Sequence, residues 1–138
     1  MSSNKLVLVT GGSGFVAAHC IIALLQQDYR VRTSLRTLKR SAEVRDMLKA
    51  GGATEAQAES VETVVLDLWT DDGWMEACQG CSYVLHIASP FPAAAPKYED
   101  ELIVPAREGT LRALRAAKSA GTVKRVVITG ALGSICKL

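Results

Sequence analysis

The residues Thr10-Gly11-Gly12-Ser13-Gly14-Phe15-Val16-Ala17 lie between a short apolar run, 5–10, and a segment with helical periodicity, 15–27. An apolar run stopped by glycines reads as a buried strand. On the helical segment, Phe15, Ala18, Ile22 and Leu25 share one face. Each small residue of the turn has a physical task. Gly11 permits the tight turn, Gly14 lets a backbone come close to a pyrophosphate, and Ala17 lets the helix pack on the strand. The N–H groups at the helix start then face the phosphates. A structural turn in an unrelated α/β protein can carry the same glycine spacing. The position after a strand and before a helix favours the dinucleotide reading.

Outward from this turn, apolar and polar stretches alternate regularly. Residues 30–36 read as a second strand, with Val31, Thr33 and Leu35 on one side. Residues 41–50 read as a helix stopped by Gly51-Gly52. The small, polar stretch 53–60 reads as a loop, and 61–68 as a third strand. Asp71 or Asp72 can cap a short helix ending near 78–80. Residues 83–88 read as a fourth strand, followed by a loop holding Pro90, Pro92 and Pro96. Residues 99–120 form a long predicted helix, with Pro105 expected to kink or break its first half. Residues 124–129 make a fifth strand. This alternation predicts a doubly wound parallel sheet of order 3-2-1-4-5 with helices on both faces. Residues 1–138 read as one domain, without repeats or linkers.

Composition agrees. Apolar residues make up 49% of the 138 and aromatics only 5%, which suits Val/Leu/Ile strands under Ala-rich helices. A net charge of +2 argues against nucleic acid or an anionic membrane surface as partner. No apolar run approaches a membrane span and no signal peptide is evident, so the expectation is a cytoplasmic protein with free thiols. Cys78 and Cys81 form a single CxxC without a second ligand pair, which reads as a helix end and a turn rather than a metal site. His19 and His86 read as packing or cofactor-side residues, with no catalytic constellation around them.

Cofactor choice rests on the end of the second strand. An NAD site usually places an acid there for the ribose hydroxyls. This chain has Arg32-Thr33-Ser34-Leu35-Arg36 instead. Arg36 could stack on adenine and pair with a 2′-phosphate, and Lys39 or Arg40 could add a second charge. The pattern points to NADP over NAD; a solvated basic face is the other reading. Asp67 could accept from the adenine amino group with Leu68 beside the ring, or it could simply cap its loop. Ile87-Ala88-Ser89 closes the fourth strand with small residues that let the backbone pass a cofactor.

With the turn at 10–17, the segments 31–36, 67–74, 83–91, 101–121 and 123–130 together resemble the extended short-chain dehydrogenase/reductases. The nearest type is the dihydroflavonol reductase/cinnamoyl-CoA reductase/aldehyde reductase group of the NAD-dependent epimerase/dehydratase superfamily. The resemblance implies a Rossmann-type fold. It implies that Gly11, Gly12, Ser13, Gly14, Phe15 and Val16 bind pyrophosphate, and that Arg36 with Lys39 or Arg40 binds the 2′-phosphate. It further implies that Asp67 and Leu68 hold adenine and that Ile87, Ala88 and Ser89 line the ribose.

Members of that family are more than twice this length. Their fifth strand runs into a Thr-Ser-Ser segment, which here reads Thr129-Gly130-Ala131. The catalytic serine position is thus Ala131, and Ser134 could replace it only if the backbone rerouted. None of Tyr29, Tyr83 and Tyr98 has a lysine four residues on, so the family's Tyr-x-x-x-Lys is absent. The chain therefore reads as the N-terminal part of an NADP-dependent oxidoreductase acting on aldehydes, ketones or alcohols, ending before the sixth strand and the substrate domain. Little or no turnover is expected from it alone. A non-catalytic dinucleotide-binding or sensor module is the competing expectation. An interaction fragment that self-associates through the exposed fifth strand is a third.

Overall fold

The computed structural model describes residues 4–92, 94–132 and 136. Five parallel strands form one sheet: β1 (Leu6–Val9), β2 (Arg30–Leu35), β3 (Glu62–Val65), β4 (Cys81–His86) and β5 (Arg125–Ile128). Their order is β3-β2-β1-β4-β5, as the alternation predicted. Side chains of a strand alternate between faces, and β1 divides the core on that basis. Val7 and Val9 join one cluster with α1 (Phe15–Gln26) and α2 (Ser41–Ala50), including Ile21, Leu25, Val44 and Leu48. Leu6 and Leu8 join a second cluster under α4 (Trp74–Cys78) and α5 (Asp100–Ala120), including Trp74, Ala113 and Ala117.

Several local features differ from the sequence reading. The stretch read as a loop contains α3 (Glu55–Glu59). A reciprocal capping box starts it: the Gln57 N–H donates to Thr54 Oγ1 at 3.2 Å, and the Thr54 N–H donates to Gln57 Oε1 at 2.9 Å. Neither Asp71 nor Asp72 caps α4. Gly73 holds that position at φ +78°, where a side chain is strained, and Asp71 instead accepts from Arg112 Nε at 2.5 Å. α5 runs unbroken through Pro105, which is buried. Phe15 is not on the packed face of α1; it is 79% exposed and meets the His19 ring edge-on at 4.7 Å. The packed face is carried by Ala17, Ala18, Ile21, Ile22 and Leu25.

The CxxC, read as a helix end and a turn, departs from that reading in its second half: its first cysteine does end a helix, and its second already opens a strand. Cys78 ends α4 and Cys81 opens β4, both buried. Burial pushes the Cys78 thiol up to about 11, which keeps it protonated and unreactive at neutral pH.

Candidate functional site

Parallel strands deliver their carboxyl ends to one edge of the sheet. Val9 lies opposite Thr33 on one side and Leu85 on the other, so β1, β2 and β4 end nearly level. Strand order reverses at β1, with β2 on one side and β4 on the other. Ligands of open α/β sheets bind at such a crevice. The glycine turn lies there.

Gly11 has φ +75°, a conformation that favours glycine, and a Cβ on it would come within 3.1 Å of the Ala88 Cα. Its N–H donates to Ser34 Oγ at 3.0 Å, and the Gly12 N–H donates to the Ser34 carbonyl at 2.9 Å. A Cβ on Gly12 would collide with the Thr33 side chain, whose hydroxyl donates to the Val9 carbonyl at 2.8 Å. The first two glycines therefore fasten the turn to β2, and their N–H groups are spent on that task. The groups that face outward come later. Gly14 is the N-cap of α1 and supplies no side-chain cap; the first turn carries no acidic residue. The N–H groups of Phe15, Val16 and Ala17 have no intrahelical acceptor. With the positive end of the helix dipole, they form an anion-accepting start.

The basic corner divides into two parts. Arg36 follows β2, and Lys39 lies in the 3-10 turn Leu38–Arg40; both are exposed, without an ion-pair partner among the described residues. Arg40 is engaged. Its Nε and Nη2 donate to the two Glu43 oxygens at 2.8 and 2.7 Å, and its Nη1 donates to Ser13 Oγ at 3.1 Å. The Glu43 hydrogen bond raises the Arg40 pKa, and the same bond lowers that of Glu43. Of the two alternatives for a second charge, Lys39 is the uncommitted one.

Asp67 and Leu68 lie just past β3 rather than within it. Asp67 Oδ1 accepts the Trp69 N–H at 2.9 Å, the loop-capping role the sequence had left open. The Asp67 and Thr70 carbonyls both accept from Trp74 Nε1 at 3.1 Å, so the loop wraps a buried indole. Arg112 Nη1 donates to the Leu68 carbonyl at 2.6 Å. Leu68 itself leans on α5, where a Cβ on Gly109 would come within 2.5 Å of its Cδ2.

At the end of β4, Ile87 and Ala88 are half-buried and Ser89 is exposed. The Ile87 and Ala88 N–H groups both donate to Thr10 Oγ1 at 3.0 Å, and His86 Nδ1 lies 3.0 Å from the same oxygen. His86 is buried, which lowers its pKa from the ordinary 6.5. Beyond β5, Ala131 lies two residues after Thr129, whose N–H donates to the His86 carbonyl at 3.0 Å. Ser134 lies outside the described residues.

The structure thus gathers the predicted positions at one sheet edge. Sequence reasoning overlooked Thr10, Thr33, Ser34, Glu43 and Arg112, which hold that edge together. Polar residues inside otherwise apolar strands, and an acid three positions after Arg40, were the available signals.

Comparison with known proteins agrees with this fold. Residues 7–134 match the NAD dependent epimerase/dehydratase family. The chain is 39% identical over 136 residues to the dihydroflavonol 4-reductase of Hordeum vulgare, covering 98% of this chain and 37% of that protein. It is 32% identical over 133 residues to the ketoreductase CTB6 of Cercospora nicotianae, covering 94% and 37% respectively. The yeast methylglyoxal/isovaleraldehyde reductase Gre2, solved in complex with NADPH, superposes with a TM-score of 0.79 at 26% identity, over 96% of this chain and 39% of that one. Vestitone reductase from alfalfa superposes with a TM-score of 0.67 at 28% identity, over 92% and 36%. The chain spans little more than a third of the length of these relatives. The protein is a member of the NAD dependent epimerase/dehydratase family.

Proposed function

We propose that this chain is the cofactor-holding portion of an NADP-dependent reductase of aldehydes and ketones, and that alone it binds NADP(H) without turning over a carbonyl substrate. The observation that carries the reading is the uncapped start of α1 together with Arg36 and Lys39, which have no ion-pair partner among the described residues. A pyrophosphate needs N–H donors with no competing carboxylate, and the first turn of α1 provides them. A 2′-phosphate needs an uncommitted guanidinium or ammonium, and Arg36 and Lys39 supply both. In this reading Ser13, Gly14, Phe15 and Val16 receive the pyrophosphate, while Gly11 and Gly12 set the height of the turn. Asp67 and Leu68 border the adenine. Ile87, Ala88 and Ser89 form the wall beside the ribose.

When bound, the cofactor supplies a hydride to a carbonyl carbon. The proton for the resulting alkoxide must come from an acid, and the family's Tyr-x-x-x-Lys is missing from these 138 residues. Ala131 offers no hydroxyl to the substrate oxygen. Two absent donors support binding without turnover.

Calorimetry on the full chain tests the proposal. NADP⁺ is expected to bind at least about tenfold more tightly than NAD⁺, and Arg36→Glu should erase the difference. Binding of neither nucleotide at millimolar concentration refutes the reading. Robust NADPH oxidation with a panel of aldehydes and ketones, abolished by Arg36→Glu, refutes the lack of turnover.

A second reading has its own support. β5 is one edge of the sheet among the described residues, and Val127 and Ile128 are 50% and 44% exposed. An apolar edge of this kind pairs readily with another strand, in a second copy or in a partner. Monodisperse monomer in light scattering at high concentration counts against it.

A further inference from the structure

We infer that Gly109 and Arg112, two residues of α5, are positioning residues for the base of the nucleotide: together they hold the loop at Leu68 where Asp67 and Leu68 border the adenine. The inference rests on the dinucleotide reading above. Its starting point is a glycine in a place where a helix has no use for one. Gly109 is buried inside the 21-residue α5, and its φ is not positive. Glycine in a helix interior is less favourable than alanine, so the position needs another reason. Space supplies it. A Cβ on Gly109 would come within 2.5 Å of Leu68 Cδ2 and 3.2 Å of Leu68 Cβ and Cγ. The Leu68 side chain fills the notch that the missing Cβ leaves.

Arg112 follows three positions later, on the same side of the helix. Its Nη1 donates to the Leu68 carbonyl at 2.6 Å and its Nε to Asp71 Oδ1 at 2.5 Å, so one guanidinium spans residues 68–71. The two contacts are unequal. The Arg112 side chain is 16% exposed and that of Asp71 85%, so solvent weakens the ion pair. The bond to the Leu68 carbonyl is charge-assisted and part-buried, and it carries the hold. Two further carbonyls of the loop, those of Asp67 and Thr70, accept from the Trp74 indole. Asp67 Oδ1 takes the Trp69 N–H, which fixes the carboxylate and leaves Oδ2 to meet a ligand donor. The amino group of adenine is such a donor. Hypoxanthine presents a carbonyl oxygen in its place, which a carboxylate repels. Reading the base therefore depends on where the loop stands, and Gly109 and Arg112 act through that loop rather than on the base.

Calorimetry on the full chain, with NADP⁺ and its hypoxanthine analogue, tests the inference. The wild type is expected to favour NADP⁺ about tenfold. Arg112→Met removes the clamp at similar length, and Gly109→Ala drives Leu68 from its notch. Each should bring the preference below about threefold, while the ratio of NADP⁺ to NAD⁺ affinity, which belongs to Arg36, stays as in the wild type. A fault that is merely structural weakens both bases alike and leaves the preference intact. Retention of the tenfold preference by either variant, folded by circular dichroism, therefore overturns that residue's role. If Arg112→Met does not fold, Arg112→Lys reads the same ratio, since it keeps a charge and loses the fork. A wild type that binds both bases equally overturns the inference and leaves the cofactor reading standing. Failure of the wild type to bind NADP⁺ at all overturns that reading, and the role of Gly109 and Arg112 with it.

Discussion

β1 and β5 are both four-residue, mostly apolar strands in the same parallel sheet, Leu6–Val9 and Arg125–Ile128, yet their surroundings are opposite. Every residue of β1 is buried. In β5 only Val126 is partly buried; the other three residues are exposed. Composition marks both as strands, and position in the sheet decides what happens to their side chains. β1 has a strand on either side and helices on both faces, whereas β5 pairs only with β4 among the described residues. The glycine turn leaves from the rigid strand. Ala131, which the sequence resemblance sets at the family's serine position, follows the weakly supported one.

The most severe way to test this contrast is to trim both strands. Leu8→Ala should cost about 3 kcal/mol in urea unfolding, since Leu8 is wholly buried. Val127→Ala should cost less than about 1 kcal/mol, because half of that side chain already meets water. Similar losses would break the comparison.

β4 stands between the two strands, and its His86 provides a subtler probe. Burial lowers the folded-state pKa of His86 from 6.5. The unfolded chain therefore takes up a proton more readily than the folded one. Stability from this group is complete above the unfolded value and declines as pH falls through the folded value. Urea midpoints measured between about pH 7 and 5 should fall for the wild type and stay flatter for His86→Asn. A wild-type profile as flat as the variant's would mean that His86 is not held neutral by burial.

The smallest effect is expected where the turn meets solvent. Glu43→Gln should release Arg40 from its bidentate pair and raise NADP⁺ affinity by about threefold, with NAD⁺ unchanged. The gain should shrink at high salt, because these side chains are exposed. Unchanged affinity would show that Arg40 serves Ser13 and the turn rather than the nucleotide.

How much of this was legible in the sequence depends on the range of the interaction. Strand order followed from alternation and handedness, rules that act on whole elements. The glycines at 11 and 14 carried the turn because their spacing is local. α3 was missed although its Thr54–Gln57 capping box is also local, because its small, polar residues resemble a loop. What holds the site could not be read. Ser34 lies 23 residues from the Gly11 it fastens, and His86 lies 76 residues from Thr10. Such pairs arise only when parallel strands come into register. The exposure of Phe15 was hidden for a related reason: helical spacing places it on the apolar face, but it sits at the first turn, beyond the edge of the sheet that α1 covers.

The wrapped indole of Trp74 gives the protein an optical property. The chain has two tryptophans, Trp69 and Trp74, and both belong to the segment between β3 and the first turn of α4. One is 57% exposed and the other 3%. All tryptophan emission from this molecule therefore originates beside Asp67 and Leu68, as a wet, red-shifted component and a dry, blue-shifted one. Light absorbed near 295 nm reads out that single loop, and anything settling against it changes the colour of the whole protein.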